Sequence, residues 1–238
     1  MNYKNIENKN QFLIYKCNCI TDLNDFLNFM INEDYKKAVL LTYWIKDYRR
    51  MLANEKNFNS LYRPVYKQGT IVEVNLGYNI GSEYGGLHYG IVLNKKDTKN
   101  NQVLTILPLS SKTEKTNKYK LDLGNELYNL FELKRSTLEN QLQEEKKLVS
   151  EELKKFDNER LLQDKLHKVN NELRELDRVK KKICKLKQGS VALVSQITTI
   201  SKIRISDPIS PSDPLYNIII SDTVYKEIEN KIQDLFFK

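Results

Sequence analysis

The chain has 238 residues, of which 40% are apolar and 29% charged, with a formal net charge of +8. Eight glycines and five prolines are too few for a collagen-like or linker-dominated chain, and the supply of Leu, Ile, Tyr and Phe argues against general disorder. No apolar run approaches the 18 or more residues of a membrane-spanning helix. A basic balance suits nucleic acid or an acidic protein partner. It is unevenly spread, with +3 over 1–63, +3 over 64–124 and +5 over 133–187. The densest tract is Lys180-Lys181-Lys182 with Lys185 and Lys187. Such a run is also what a solvated helix face looks like.

Cys17, Cys19 and Cys184 are odd in number and fit no disulfide framework. With only His88 and His167 beside them, a zinc site is not expected, and no metal or cofactor is assigned. The N-terminus runs from Met1-Asn2-Tyr3-Lys4 into polar residues without an apolar signal core, so a reduced, cytoplasmic protein is expected.

In chain order, 1–63 reads as a helical extension. Thr21 or Asp22 is positioned to cap a helix carrying Leu23, Phe26, Leu27 and Met30, and a second helix carries Val39, Leu40, Tyr43, Trp44, Tyr48, Met51 and Leu52. Arg63-Pro64 ends the helical pattern. Strands follow at Gly69–Leu76, Tyr89–Leu93, Val103–Leu109 and Tyr119–Leu123, with a glycine-containing loop from Gly77 to Gly86. Short strands and tight turns predict a small barrel, its first part at 64–132.

Residues 133–187 contain no Gly or Pro. Leu138, Leu142, Val149, Leu153 and Phe156 form one stripe; Leu166, Val169, Leu173, Leu176 and Ile183 form another at heptad-like spacing. A straight helix of that length would end about 75 Å from its start. Its flanks belong to one barrel, so an inserted antiparallel hairpin turning near Asp157–Arg160 is predicted. His167 reads as a solvated helix residue. The second barrel part, 188–238, begins with a strand at Ser190–Val194 and continues from Gln196 to Ile200. A loop follows from Asp207 to Pro214, and Ser221 or Asp222 caps a final amphipathic helix with Val224, Ile228, Ile232, Leu235 and Phe236.

Two segments, in this order, resemble a known family. The first is Gly69-Thr-Ile-Val-Glu-Val followed by Gly81-Ser-Glu-Tyr-Gly-Gly-Leu-His88. The second is Ser190-Val-Ala-Leu-Val-Ser-Gln196-Ile-Thr-Thr-Ile. Together, over 66–123 and 188–238, they resemble the MazF/PemK toxins of type II toxin–antitoxin systems. The resemblance implies an α+β chain built on an SH3-like barrel, commonly a homodimer. It also implies metal-independent cleavage of single-stranded RNA by its own 2′-hydroxyl, and silencing by an acidic antitoxin protein.

The resemblance places an Arg where this chain has His88, and a Thr or Ser where it has Ser110. Histidine trades a fixed planar cation for a proton that titrates near neutrality. His88 and Ser110 are therefore the expected catalytic pair, and loss of cleavage with retention of RNA or antitoxin binding is the alternative. In that alternative the hairpin mediates protein interaction. Ser82, Glu83, Tyr84, Gly85, Gly86, Ser111 and Lys112 are the candidate RNA contacts. Tyrosines 78, 84 and 89 flank the loop and offer rings for unpaired bases. Each also has a plain reading, as turn glycine, solvated charge or chance aromatic.

Overall fold

The computed structural model describes residues 8–113, 117–153, 159–186 and 189–237. It divides into two compact units, Met1–Lys56 and Asn57–Lys238.

The first unit is a helix pair, α1 (Lys9–Glu33) and α2 (Tyr35–Asn54). The first helix begins well before the start expected at Thr21 or Asp22. Residues 9–20 contain no Gly or Pro to break it, so Thr21 and Asp22 are carried mid-helix. The Asn8 side chain makes no capping hydrogen bond to the first turn of α1. By contrast Asp34 caps α2, with the Lys37 amide donating to Oδ1 at 3.0 Å. Met30 and Ala38 are the buried residues among those described in this unit.

Among its described residues the second unit contains seven antiparallel strands: β1 (Ile71–Asn75), β2 (Leu87–Val92), β3 (Val103–Ser111), β4 (Lys120–Asp122), β5 (Ser190–Leu193), β6 (Thr198–Ser201) and β7 (Ile205–Asp207). They run in the order β4–β5–β3–β2–β1–β7, with β6 also on β3. The long β3 joins the two parts of the sheet. Its start pairs with β6, from Val103↔Ser201 to Ile106↔Thr198, and its end pairs with β5, from Leu109↔Ala192 to Ser111↔Ser190. Pro108, which has no amide proton to give, falls in the gap between these two partners. The expected strands are present, except that a single 3-10 turn at Val194–Gln196 separates β5 from β6.

Both faces of the sheet are covered. One core holds Tyr66, Val72, Val74, Val92, Leu104, Ile106 and Ile205; the other joins Ile71, Ile91, Leu107 and Leu109 to helix residues such as Leu127, Phe131 and Ile228. That is why Ile106-Leu107-Pro108-Leu109 shows no alternation: both sides of the strand are dry. Lys202 is fully buried and survives there as an ion pair, its ammonium 2.8 Å from both Asp97 carboxylate oxygens and 3.0 Å from the Thr98 carbonyl.

The insertion is a helix pair, α3 (Glu126–Leu153) and α4 (Glu159–Lys185). Ion pairs Lys134–Glu175, Glu139–Lys180 and Glu145–Lys168 join the two helices, and the passage from Lys134–Glu175 to Glu145–Lys168 follows an antiparallel order. The first helix starts at Glu126, ahead of the Leu133 expected, because Leu127 and Phe131 continue its buried stripe onto the sheet. Of the α4 stripe, Val169 and Leu176 are buried but Leu166 and Leu173 are 45% and 39% exposed. The inward line runs instead through Leu162, Val169, Leu176, Val179 and Ile183. Residues 154–158, which include Phe156 of the first stripe and the start of the turn expected near Asp157–Arg160, lie outside the described residues, as does the side chain of Leu153; Arg160 is already in α4. His167 is exposed. The final helix, α5 (Asp222–Phe236), is capped by Ser221, whose Oγ accepts from the Val224 amide at 3.4 Å.

Candidate active site

The loop between β1 and β2 is held in shape by hydrogen bonds that reach across the sheet. Gln196 ties it from the turn after β5: its Oε1 accepts from the Tyr84 amide at 3.1 Å and its Nε2 donates to the Ser82 carbonyl at 3.3 Å. Asn79 Nδ2 donates to the Tyr84 carbonyl at 2.9 Å. The loop closes on itself where the Gly86 amide meets the Gly77 carbonyl at 2.6 Å. Gly85 is obligatory in this closure, since a Cβ there would lie 2.6 Å from the Gly77 carbonyl oxygen. Gly86 adopts φ 95°, which an L side chain resists.

This closure aims Tyr84 inward. Its hydroxyl lies 2.8 Å from His88 Nδ1 and donates to the Leu109 carbonyl at 3.1 Å. The two rings stand 4.3 Å apart, tilted by 38°. A phenol has one proton to give. That proton goes either to the Leu109 carbonyl or to His88 Nδ1, and the tautomer of the imidazole follows from which of them takes it. Burial raises the pKa of Tyr84, and a hydrogen bond with Ser110 opposes that rise. The Tyr84 hydroxyl thus bridges His88 on β2 to the Leu109 carbonyl on β3, one residue before Ser110.

Burial holds the His88 imidazolium pKa below its ordinary value of 6.5, against a hydrogen bond to the Gly85 backbone that favours the charged ring. At neutral pH the ring is therefore mostly neutral, the form that accepts a proton.

His88, Ser110 and Ser111 line one cleft of about 280 Å³. Glu73, Lys185 and Ser190 line it as well. Of the expected contacts, Ser82 and Glu83 sit exposed on the loop. Lys112 is turned to Asp122, 2.5 Å away. Gly85 and Gly86 shape the loop, and Tyr84 is a half-buried bridge. Tyr89 instead packs edge-on to Phe131, at 6.1 Å between ring centres, under the Lys182 ammonium. Burial pushes its phenol up to about 12. Lys182 is itself bound by Glu73 at 3.0 Å and Asp207 at 2.9 Å. No group of three or more His, Cys, Asp and Glu side chains suited to a metal ion occurs among the described residues.

Four residues of this region carried no role in the sequence reading: Glu73, Lys185, Ser190 and Gln196. Gln196 stands within the quoted second segment, and only its bonds to the loop reveal its part. Lys185 and Ser190 bracket the return from the hairpin to β5, a join that only the fold brings beside His88.

No curated protein matches the chain. The model of the PemK-like, MazF-like toxins of type II toxin–antitoxin systems matches residues 67–187. That span is just over half of the chain. It runs from the strand before the His88 loop through the helical hairpin and stops short of β5, although β5, β6 and β7 complete the sheet. On that match the chain belongs to the PemK-like, MazF-like toxin family of type II toxin–antitoxin systems.

Proposed function

We propose that this toxin is an endoribonuclease that cuts single-stranded RNA through the substrate's own 2′-hydroxyl, with His88 as base. The observation that carries this reading is that His88 and Ser110 line one cleft, with Tyr84 hydrogen-bonded to His88 Nδ1 and burial favouring the neutral imidazole. A base for RNA cleavage must be unprotonated at working pH and able to reach the proton it removes.

In the proposed step His88 takes the proton of the 2′-hydroxyl. The 2′-oxygen forms a bond to the adjacent phosphorus, and the bond from phosphorus to the 5′-oxygen breaks. The leaving oxygen takes its proton from water in the open cleft. The products are a 2′,3′-cyclic phosphate and a 5′-hydroxyl. Tyr84 holds the ring in place, and the Ser110 hydroxyl donates to the phosphoryl oxygen that gains charge. No step calls on a metal ion.

The same reading brings an acidic antitoxin as partner, a homodimer as the active assembly and the cytoplasm as the site of action. Incubating the purified protein with single-stranded RNA in chelator-treated buffer tests the chemistry. Cyclic phosphate and 5′-hydroxyl ends are expected from the unaltered protein and intact RNA from His88→Ala. RNA that is retained but never cut by the unaltered protein would support the binding module instead.

A further inference from the structure

We propose that the cleft holds a second phosphate subsite beside the His88–Ser110 centre, formed by Ser190, Ser111 and the Lys185 ammonium. It would take the RNA phosphate next to the one that is cut. This inference rests on the nuclease reading above for its substrate, though its geometry does not use His88.

Three observations meet at this place. Ser111 and Ser190 are direct partners across the β3–β5 ladder, and both line the cleft. Ser190 is 7% exposed, and its buried Oγ has no hydrogen-bond partner among the described residues. A dry, unpaired hydroxyl weakens a fold, and one that lines a cleft is accounted for when a ligand oxygen completes it. The third observation is charge. Lys112 is committed to Asp122, and Lys182 to Glu73 and Asp207. Lys185, in the last turn of α4, lines the same cleft and has no ion-pair or hydrogen-bond partner among the described residues. Glu73 is the carboxylate in the cleft, and it is already held by Lys182 and by the Ser206 hydroxyl at 2.9 Å.

The inserted hairpin thereby gains a task at the site. Lys185, in the last turn of its second helix, brings to the edge of the cleft a cation with no partner among the described residues. A lysine ammonium is a point charge suited to phosphate, and hydroxyls supply directed donors around it.

The test uses the full chain and two cleavage-resistant 2′-O-methyl oligonucleotides, a dinucleotide with one phosphate and a trinucleotide with two. Affinity is read by fluorescence anisotropy across a salt series. Lys185→Gln is expected to weaken the trinucleotide by roughly tenfold and to lower its salt slope by about 0.7, the value of one phosphate contact on a single strand. The dinucleotide should be little affected, and Lys185→Arg should keep the trinucleotide affinity. Ser190→Ala should weaken the trinucleotide while leaving the melting temperature unchanged or higher, which separates loss of a ligand contact from loss of folding. An unchanged trinucleotide affinity and slope in Lys185→Gln would overturn the subsite, as would equal losses for both probes. Failure of the unaltered protein to bind either probe would overturn the subsite and the RNA reading together. Normal subsite behaviour without cleavage of unmodified RNA would sink the nuclease chemistry alone and leave the subsite standing.

Discussion

The molecule contains two helix pairs of similar length that treat their apolar residues in opposite ways. In α3 and α4, Phe131, Leu138, Leu142, Leu176 and Val179 are buried, in one core with the sheet. In α1 and α2, Phe12, Ile14, Ile20, Phe29, Tyr35 and Tyr43 are each at least 52% exposed. Both pairs carry apolar residues at helical steps, yet only one shows a continuous inward line. Periodicity says that a helix has an apolar face; it does not say that anything covers it. The covered pair reaches the candidate site through Lys182, which holds Glu73, and through Lys185.

The contrast can be broken most severely at Phe131. It is fully buried against Tyr89, and Phe131→Ala should cost about 3–5 kcal/mol in denaturant unfolding, whereas Phe29→Ala in α1 should stay within about 0.5 kcal/mol. Equal losses at the two positions would remove the distinction between the pairs. The next largest effect is expected at the barrel's buried ion pair. Lys202→Met leaves the Asp97 carboxylate buried without its cation and should cost about 3–5 kcal/mol, while Asp47→Asn, at an exposed pair in α2, should change stability by less than about 1 kcal/mol.

Smaller effects sharpen the same comparison. The second unit holds both cores described above, so a chain beginning at Asn57 should unfold at nearly the same midpoint as the whole protein. A large drop would mean that the exposed faces of α1 and α2 support that unit after all. The smallest effect is expected at Ser190→Ala, which removes an unpaired buried hydroxyl. It should leave stability unchanged or raise it by about 1 kcal/mol, measured by thermal unfolding.

The strands and the final helix could be read from local signals, because their causes are local. Gly69 and Pro64 mark where the first strand run begins, β-branched runs mark β1 and β3, and Ser221 caps α5. The start of α1 could not, since residues 9–20 have neither a cap nor a clean stripe. The α4 stripe was misplaced at Leu166 and Leu173 because a heptad pattern does not identify which of two candidate lines meets the partner helix. Lys202 gave no sign of burial, as its partner Asp97 lies far away in sequence.

The site divides the same way. His88 and Ser110 followed from the family resemblance, and both line one cleft. The contact of Tyr84 with His88 could not be foreseen, because Tyr84 reads as a loop aromatic until Gln196 and the Gly85–Gly77 approach turn its hydroxyl inward. Lys185 and Ser190 depend on where the hairpin ends in space. No spacing along the chain expresses that.

The most direct measurement is the pH dependence of RNA cleavage at saturating substrate, in chelator-treated buffer, for the unaltered protein and His88→Ala. A base must be deprotonated, so activity should rise with pH through the imidazole pKa. Burial lowers that pKa, so the midpoint should fall below 6.5 and the rate should be level by neutrality. His88→Ala should show neither the rise nor appreciable cleavage. A midpoint well above 6.5, or a profile that survives in His88→Ala, would contradict the assignment of His88 as the base.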